Sequence, residues 1–370
     1  MKIKNFTLVL LLTFMCYFPF TNEVHAQLDL PAGSQKASVT QKVGLTYITI
    51  KYSRPSVKER EVWGKLVPYG MNNLGFGTAK ESPWRAGANE NTIIKFSDDV
   101  TIAGKSLKAG KYGLHMVIHE NGDADIIFSK NSSAWGSFFY NPDEDALKIT
   151  VKSEKTDHTE LLTYQFVEVD KTSATAALLW AERMIPFKIE VNVSEIVLSK
   201  IRKDLQGQKG FTDVSWNQAA NYALNNDGDL KEALKWSDNS ISGAFIGKKN
   251  YANLQTKANI LTKMKKNEGA AKVMDEAIQL GTVLQVHGYG RQLIAKGDKE
   301  KAIEVFKKNA KMHPNTWPVN YGMGRGYSAL GDYKKAIKSL EKALVLAPQQ
   351  ANKDRVQANI DKLKKGEDIN

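Results

Sequence analysis

Gly297, Ala302, Phe306 and Pro314 recur 34 residues later as Gly331, Ala336, Leu340 and Pro348. A period of that length, with a small residue, a large apolar residue and a helix stop at fixed offsets, specifies paired helices, and one such pair cannot bury its apolar face without a neighbour. The last third of the chain must therefore be an array. Working backward, Ala258, Leu261, Ala270, Met274 and Ala277 fit a third unit, offset by 32 residues rather than 34. Asn221, Leu224, Gly228 and Ala233 fit a fourth, in which Trp236 and Ser237 depart from the pattern. Asn352 to Leu363 reads as the polar-faced capping helix that ends a stacked array.

Between Ala37 and Val193 the period is two. Val39, Gln41 and Val43, then Ile48, Ile50 and Tyr52, then Tyr112, Leu114, Met116 and Ile118, and later Phe187, Ile189 and Val191, each set an apolar face against a polar one. Turn signals such as Asn121-Gly122-Asp123 and Asn141-Pro142-Asp143 separate the runs. Eight to ten short strands at this spacing predict an all-β sandwich or jelly-roll-like domain, with a closed barrel as the alternative. After Val193 the pattern becomes helical. The predicted organisation is a signal peptide over 1–26, a β-sandwich over 27–193, a linker helix over 194–210 and an α-helical solenoid over 211–370.

The N-terminus carries Lys2 and Lys4, an apolar stretch from Phe6 to Phe20, and Val24-His25-Ala26 before Gln27. A basic start, a short apolar run and small residues at a cleavage position predict a secretory signal peptide removed after Ala26. The run is short for a bilayer span, and Cys16 lies inside it after Phe14-Met15, a poor lipobox. The predicted location is thus the periplasm or the exterior, with no transmembrane segment after cleavage. Cys16 is the only cysteine, so the mature chain has no disulfide, thiol nucleophile or thiolate-bound metal. No cofactor or metal is predicted. The whole chain has 52 basic and 40 acidic residues; losing Lys2, Lys4 and Glu23 leaves 50 and 39, a charge of +11. That balance suits anionic partners such as acidic glycans or acidic peptides, and in an exported protein it does not point to nucleic acid.

Ser53-Arg54-Pro55-Ser56-Val57-Lys58, Val62-Trp63-Gly64, Leu66-Val67-Pro68-Tyr69-Gly70, Trp84-Arg85-Ala86-Gly87-Ala88-Asn89-Glu90, Ala109-Gly110-Lys111-Tyr112 and Trp135-Gly136 occur in this order. This series resembles the DUF2911 family of exported Bacteroidota proteins over roughly residues 28 to 170. The repeats that follow resemble the tetratricopeptide (TPR) family. The first resemblance implies compartment and domain boundary but no activity. The second implies protein or peptide binding.

Within the β region the segment Trp84 to Glu90 is the candidate ligand loop. Arg85 could fork onto a carboxylate or phosphate, Trp84 could stack on a sugar ring, and Asn89 or Glu90 could accept hydroxyls. The competing expectation is an internal Arg85–Glu90 ion pair with Trp84 packed under the sheet, favoured because unpaired buried charge is rare. Arg54 and Lys58, either side of Pro55, would complete a basic pocket or extend that network. His115 and His119 share a strand face but lie roughly 13 Å apart at about 3.3 Å per residue, too far to ligate one ion. His158 is expected in a charged, solvated loop. No HExxH, G-x-S-x-G or Walker-type glycine loop occurs. Glu90 or Asp99 would serve as acid or base if the domain were a hydrolase acting on envelope carbohydrate.

In the array, the inner face of the first helix of each pair should line a concave groove: Gln218, Tyr222 and Asn225, then Gln255 and Asn259, then His287 and Arg291, then Tyr321 and Arg325. An aromatic or imidazole ring followed four residues later by Arg occurs twice in register, which puts both side chains on one helix face. Such a groove suits an extended peptide with acidic groups. The expected protein is a non-enzymatic binding scaffold that takes a protein or peptide in the groove. The alternative is a glycan-binding module or hydrolase in the β-domain.

Overall fold

The structure is a computed structural model, and it describes residues 30–370. The expected signal peptide therefore lies outside the described residues. Ten strands come first: β1 (Gln35–Val43), β2 (Thr46–Arg54), β3 (Ile93–Phe96), β4 (Val100–Ile102), β5 (Lys105–Leu107), β6 (Gly110–Ile118), β7 (Asp123–Ser129), β8 (Asp145–Lys152), β9 (Glu154–Val169) and β10 (Ser173–Glu190). They form two antiparallel sheets, ordered β1-β2-β3-β6-β7-β8 and β5-β4-β10-β9. Alternate residues of the two sheets meet in one core: Ile48 and Ile50 of β2, Leu114 and Met116 of β6, and Leu178 and Trp180 of β10. This is the predicted sandwich.

Two strands are not short. β9 and β10 run for 16 and 18 residues, with register shifts at Thr175/Ala176, Leu179/Ala181 and Ala181/Arg183. Ala181 sits in a left-handed conformation at φ 50°. Each shift bends the strand and lets the pairing continue beyond the usual strand length. His158, expected in a loop, consequently lies on β9, within 3.2 Å of Glu160 and 3.6 Å of Glu182.

Ten helices follow: α1 (Val193–Asp204), α2 (Asp213–Asn225), α3 (Leu230–Ser242), α4 (Tyr251–Lys263), α5 (Asn267–Gln279), α6 (Val283–Ala295), α7 (Lys299–Met312), α8 (Trp317–Ala329), α9 (Tyr333–Leu346) and α10 (Gln350–Lys364). Four pairs begin at α2, α4, α6 and α8, and α10 closes the stack. The first helix of each pair ends alike. The residue after its cap is left-handed: Asp227 at φ 55°, Lys265 at 61°, Gly297 at 88° and Gly331 at 78°, and Gly366 repeats this after α10 at 82°. Glycine takes this conformation without a Cβ clash, whereas Asp and Lys do so at a cost of roughly 1 kcal/mol. The two early repeats keep the turn but have lost the glycine that announces it, which is why their register was weaker in the sequence.

Glycines inside helices usually cost stability, yet α6 and α8 carry several. The Phe306 ring explains three of them. A Cβ built on Gly290, Gly322 or Gly326 would lie 2.5, 2.7 or 2.9 Å from ring carbons of Phe306. The fully buried ring fills the space that α6 and α8 leave open. Helix α1 joins the two halves. Val193 and Ile196 pack against the sandwich core, whereas Leu198, Ile201 and Leu205 join the cluster of α2 and α3. Gly44 of the β1–β2 hairpin, at φ 58°, abuts Val193, and its missing Cβ would fall 2.6 Å from that side chain. Ser194 Oγ donates to the Asn226 carbonyl at 2.6 Å. Among the described residues no helix is long and apolar enough to cross a membrane.

These contacts make a paired prediction for glycine replacement. Gly322→Ala should lower stability by about 1–3 kcal/mol by overpacking against Phe306, despite its better helix propensity. Gly288→Ala, on α6 with nothing within 4 Å of its Cβ position, should raise stability by up to about 1 kcal/mol. Thermal or urea unfolding of the two variants checks the pair, and an equal response from both would remove the packing argument.

Candidate functional site

The segment from Trp84 to Glu90 is a loop held at several points. Trp84 forms an isolated two-way bridge with Met116 of β6, N to O at 2.8 Å in both directions. Ala86 and Asn89 are left-handed, at φ 48° and 60°. The Ala86 carbonyl accepts from Tyr164 Oη at 2.9 Å and Thr92 Oγ1 at 3.1 Å. The Trp84 indole belongs to a cluster of three, stacked on Trp180 at 6.0 Å and edge-on to Trp63 at 5.9 Å. Arg85 then projects into an open cleft of 620 Å³ between this loop, the 55–60 turn and the Ser82–Ser137 region.

Arg85 does not pair with Glu90. Its guanidinium donates to the Asn89 carbonyl at 2.6 Å and lies over the Phe138 ring at 4.9 Å. Gly136 covers it so closely that a Cβ there would fall 2.4 Å from the guanidinium carbon. Burial lowers its pKa. Among the described residues no carboxylate forms a salt bridge with it. Glu90 turns away to Lys36 at 2.7 Å and accepts from Ser53 Oγ at 3.4 Å, which holds its carboxyl below the usual range. Arg54 also stays out of the cleft: it donates to the Leu162 carbonyl at 2.9 Å and to Thr163 Oγ1 at 2.6 Å, tying β2 to β9. Trp84, Arg85 and Asn89 line the cleft, Asn89 with its amide on the Ser34 carbonyl at 3.1 Å.

Lys58, expected to complete a basic pocket, does line the cleft, and Arg60 joins it from the same turn; Ser137 and Trp180 arrive from distant segments that sequence proximity could not reveal. The turn that carries Lys58 is fixed because the exposed Glu160 carboxylate accepts from the Lys58 amide at 3.0 Å and from Ser56 Oγ, with its pKa pushed down to about 2, first by the Ser56 bond. The other aromatic residues of the motif series do not gather around Trp84. Trp135 and Tyr69 are exposed outside the cleft, and Tyr112 is buried with its hydroxyl on the Lys108 carbonyl at 2.8 Å. Asp99, the other candidate acid, pairs with Lys108 at 2.8 Å and is held below its ordinary pKa. Neither it nor Glu90 lines this cleft.

The groove residues of the helical array divide into groups. Asn225 and Asn259 are exposed and line one depression together with Lys263, Lys296 and Lys301. Tyr222 is half-buried against the α1–α3 cluster, and Gln255 donates to Tyr251 Oη at 3.1 Å. On α6 and α8 three of the four in-register residues, His287, Tyr321 and Arg325, meet. His287 stacks on Tyr321 with ring centroids 6.1 Å apart, and Arg325 lies 5.9 Å from the Tyr321 centroid. Tyr321 is itself buried, its hydroxyl accepting from Asn359 Nδ2 of α10 at 2.8 Å. Among the described residues neither Arg291 nor Arg325 forms a salt bridge, and the buried Arg325 Nε and His287 Nδ1 have no hydrogen-bond partner. Burial, then the charges of Arg325 and Arg291, push the His287 pKa down to about 4. A neutral imidazole on α6 thus feels the positive charge of Arg291 on its own helix and of Arg325 on α8, neither in a salt bridge among the described residues.

His115 lies beside the cleft. It is buried on β6, shares a 2.9 Å hydrogen bond between Nδ1 and Ser137 Oγ, and has its pKa pushed down to about 4 by burial and then by the Arg85 charge. The folded value lies below the ordinary 6.5, so between those pH values the unfolded chain binds more protons. The stabilisation is complete above pH 6.5 and is lost as the pH falls toward 4. Unfolding free energy should thus decline by about 3 kcal/mol across that window from this residue. His115→Gln should flatten the decline in urea titrations at pH 4 to 7, and an unchanged slope would refute the assignment.

Comparison with known proteins now bears on both halves. Residues 34–189 match the family model described as "Protein of unknown function (DUF2911)", and residues 317–350 match the model described as "Tetratricopeptide repeat". No curated protein matches the chain. Solved structures similar to part of it include the C-terminal part of a TPR repeat-containing protein from Cytophaga hutchinsonii, at 20% identity and TM-score 0.34, covering 46% of this chain and 67% of that one. YrrB, described as a TPR protein with an unusual peptide-binding site, is similar at 18% identity and TM-score 0.29, over 45% and 84% of the two chains. MamA follows at 16% identity and TM-score 0.30, over 45% and 92%. The two matched segments fall on the sandwich and on α8–α9, so a DUF2911 match precedes a tetratricopeptide-repeat match along the chain.

Proposed function

We propose that this is an exported, non-catalytic recognition protein whose helical array binds a protein or peptide segment bearing acidic side chains. The tetratricopeptide match supports an interaction scaffold. The observation that carries the finer reading is the α6–α8 patch, where Arg291, Arg325 and His287 share one face without a carboxylate partner among the described residues. Guanidinium forks pair with carboxylates in charge-assisted bonds worth roughly 1.5–3 kcal/mol each. An extended acidic segment laid across α6 and α8 would supply carboxylates to the guanidiniums of Arg291 and Arg325. Export is supported by Lys2, Lys4, the apolar stretch and Val24-His25-Ala26.

Two measurements test this reading. Arg291→Ala and Arg325→Ala should each weaken binding of Asp- and Glu-rich peptides by about tenfold or more in fluorescence anisotropy, with affinity falling as salt rises; unchanged affinity in both variants would rule out this face as the binding surface. Mass spectrometry of the chain recovered from the cell envelope should find Gln27 at its N-terminus, and an uncleaved chain confined to the cytoplasm would overturn export.

A further inference from the structure

We propose that the Arg85 cleft of the sandwich is a second, independent binding site, and that its ligand is a small oxyanion-bearing molecule, with a carboxylate or phosphate seated on Arg85. Three cationic residues, Lys58, Arg60 and Arg85, line the cleft, and none of the residues that line it is Asp or Glu. Surface cations are ordinarily interspersed with acids, so a concave site lined by one sign of charge focuses anions.

The Arg85 guanidinium is built into place rather than left on the surface. Phe138 supports one face of it, Gly136 leaves the room it needs, and the Asn89 carbonyl fixes Nη1 at 2.6 Å. That leaves the rest of a planar, half-buried fork with no carboxylate on it among the described residues. Partial burial of such a charge costs stability unless a counter-charge offsets it. The position of Glu90 sharpens the point, because the acid five residues along the same loop is drawn off to Lys36 instead of neutralising Arg85.

A second observation comes from another strand. Trp180 of β10 lines the cleft and is 1% exposed, yet its indole Nε1–H has no acceptor among the described residues. A buried donor without a partner is a cost that folds rarely tolerate. Ser82 and Ser137 line the same wall, and Ser82 Oγ donates to the Ser137 carbonyl at 2.9 Å. At 620 Å³ the cleft has the size of sites for small molecules. A chain-like polyanion is not required. The chemistry shared by the ligands that fit is an oxyanion for the guanidinium fork, further acceptors for the neighbouring donors, and a body small enough for the cleft.

Calorimetric and tryptophan-fluorescence titration of the full chain with digalacturonate, glucose 6-phosphate and neutral lactose tests the proposal and separates its two sources of oxyanion. Digalacturonate or glucose 6-phosphate should bind with a Kd in the millimolar range or tighter and lactose at least tenfold more weakly. Whichever anion binds more tightly identifies the ligand as a sugar acid or a phosphate ester. Arg85→Lys, which keeps the charge but not the fork, should weaken that binding at least tenfold. Lys58→Glu, an exposed change that places an acid at the rim without disturbing the core, should weaken it comparably while leaving acidic-peptide binding by the helical array unchanged. Equal binding of lactose and the anions, no binding of either anion, or wild-type affinity in Lys58→Glu and Arg85→Lys would each overturn the assignment.

Discussion

One helix divides its surface between two cores, and the relation of the two halves rests on that division. Val193 and Ile196 of α1 seal the end of the sandwich, while Leu198 and Ile201, on the opposite side of the same two turns, complete the first helical cluster. Neither half can shed α1 without exposing apolar surface, at about 25 cal/mol for each Å² uncovered. The close approach of Gly44 to Val193 and the Ser194–Asn226 hydrogen bond add steric and polar specificity to an interface that burial alone would leave free to slide. Arg202 of α1 adds a two-point ion pair to Glu232 of α3, with both N–O distances at 2.9 Å.

Both candidate sites follow one electrostatic theme at different scales. In each, an arginine is partly buried, packed against an aromatic ring, and without a salt bridge among the described residues: Arg85 over Phe138 and Arg325 beside Tyr321. In each, a neighbouring histidine is kept neutral by burial and by that same positive charge, His115 in the sandwich and His287 in the array. The chain's basic balance is therefore not only a scatter of solvated lysines. Part of it is concentrated where concave or packed surfaces hold it, while the carboxylates considered as acid or base, Glu90 and Asp99, are tied to lysines.

The architecture was legible because it is written in periodicity. Alternation over β2 and β6 and the 34-residue register over α6–α9 survive without knowledge of any contact. Legibility failed where structure persisted after its marker residue changed. Asp227 and Lys265 make the left-handed turn that Gly297 and Gly331 make, so the early repeats looked less regular than they are. The long β9–β10 ribbon was hidden because bulges shift its alternation partway along. The candidate loop was found from Trp84, Arg85 and Asn89, but an Arg and a Glu five residues apart were expected to pair, and strand β1 supplied Lys36 to the acid instead.

The amino-acid sequence by itself determined that a period-two half precedes a 34-residue helical repeat, because backbone geometry imposes those periods on any chain that buries one face. It also determined the absence of thiol chemistry beyond Cys16 and the excess of basic residues. Only the tertiary structure decided which cations are left without a counter-charge and which residues converge on the cleft. Lys58, Arg85, Ser137 and Trp180 are far apart along the chain and meet because two sheets stack; partnership in a folded protein is settled by distances across layers, which no local pattern encodes.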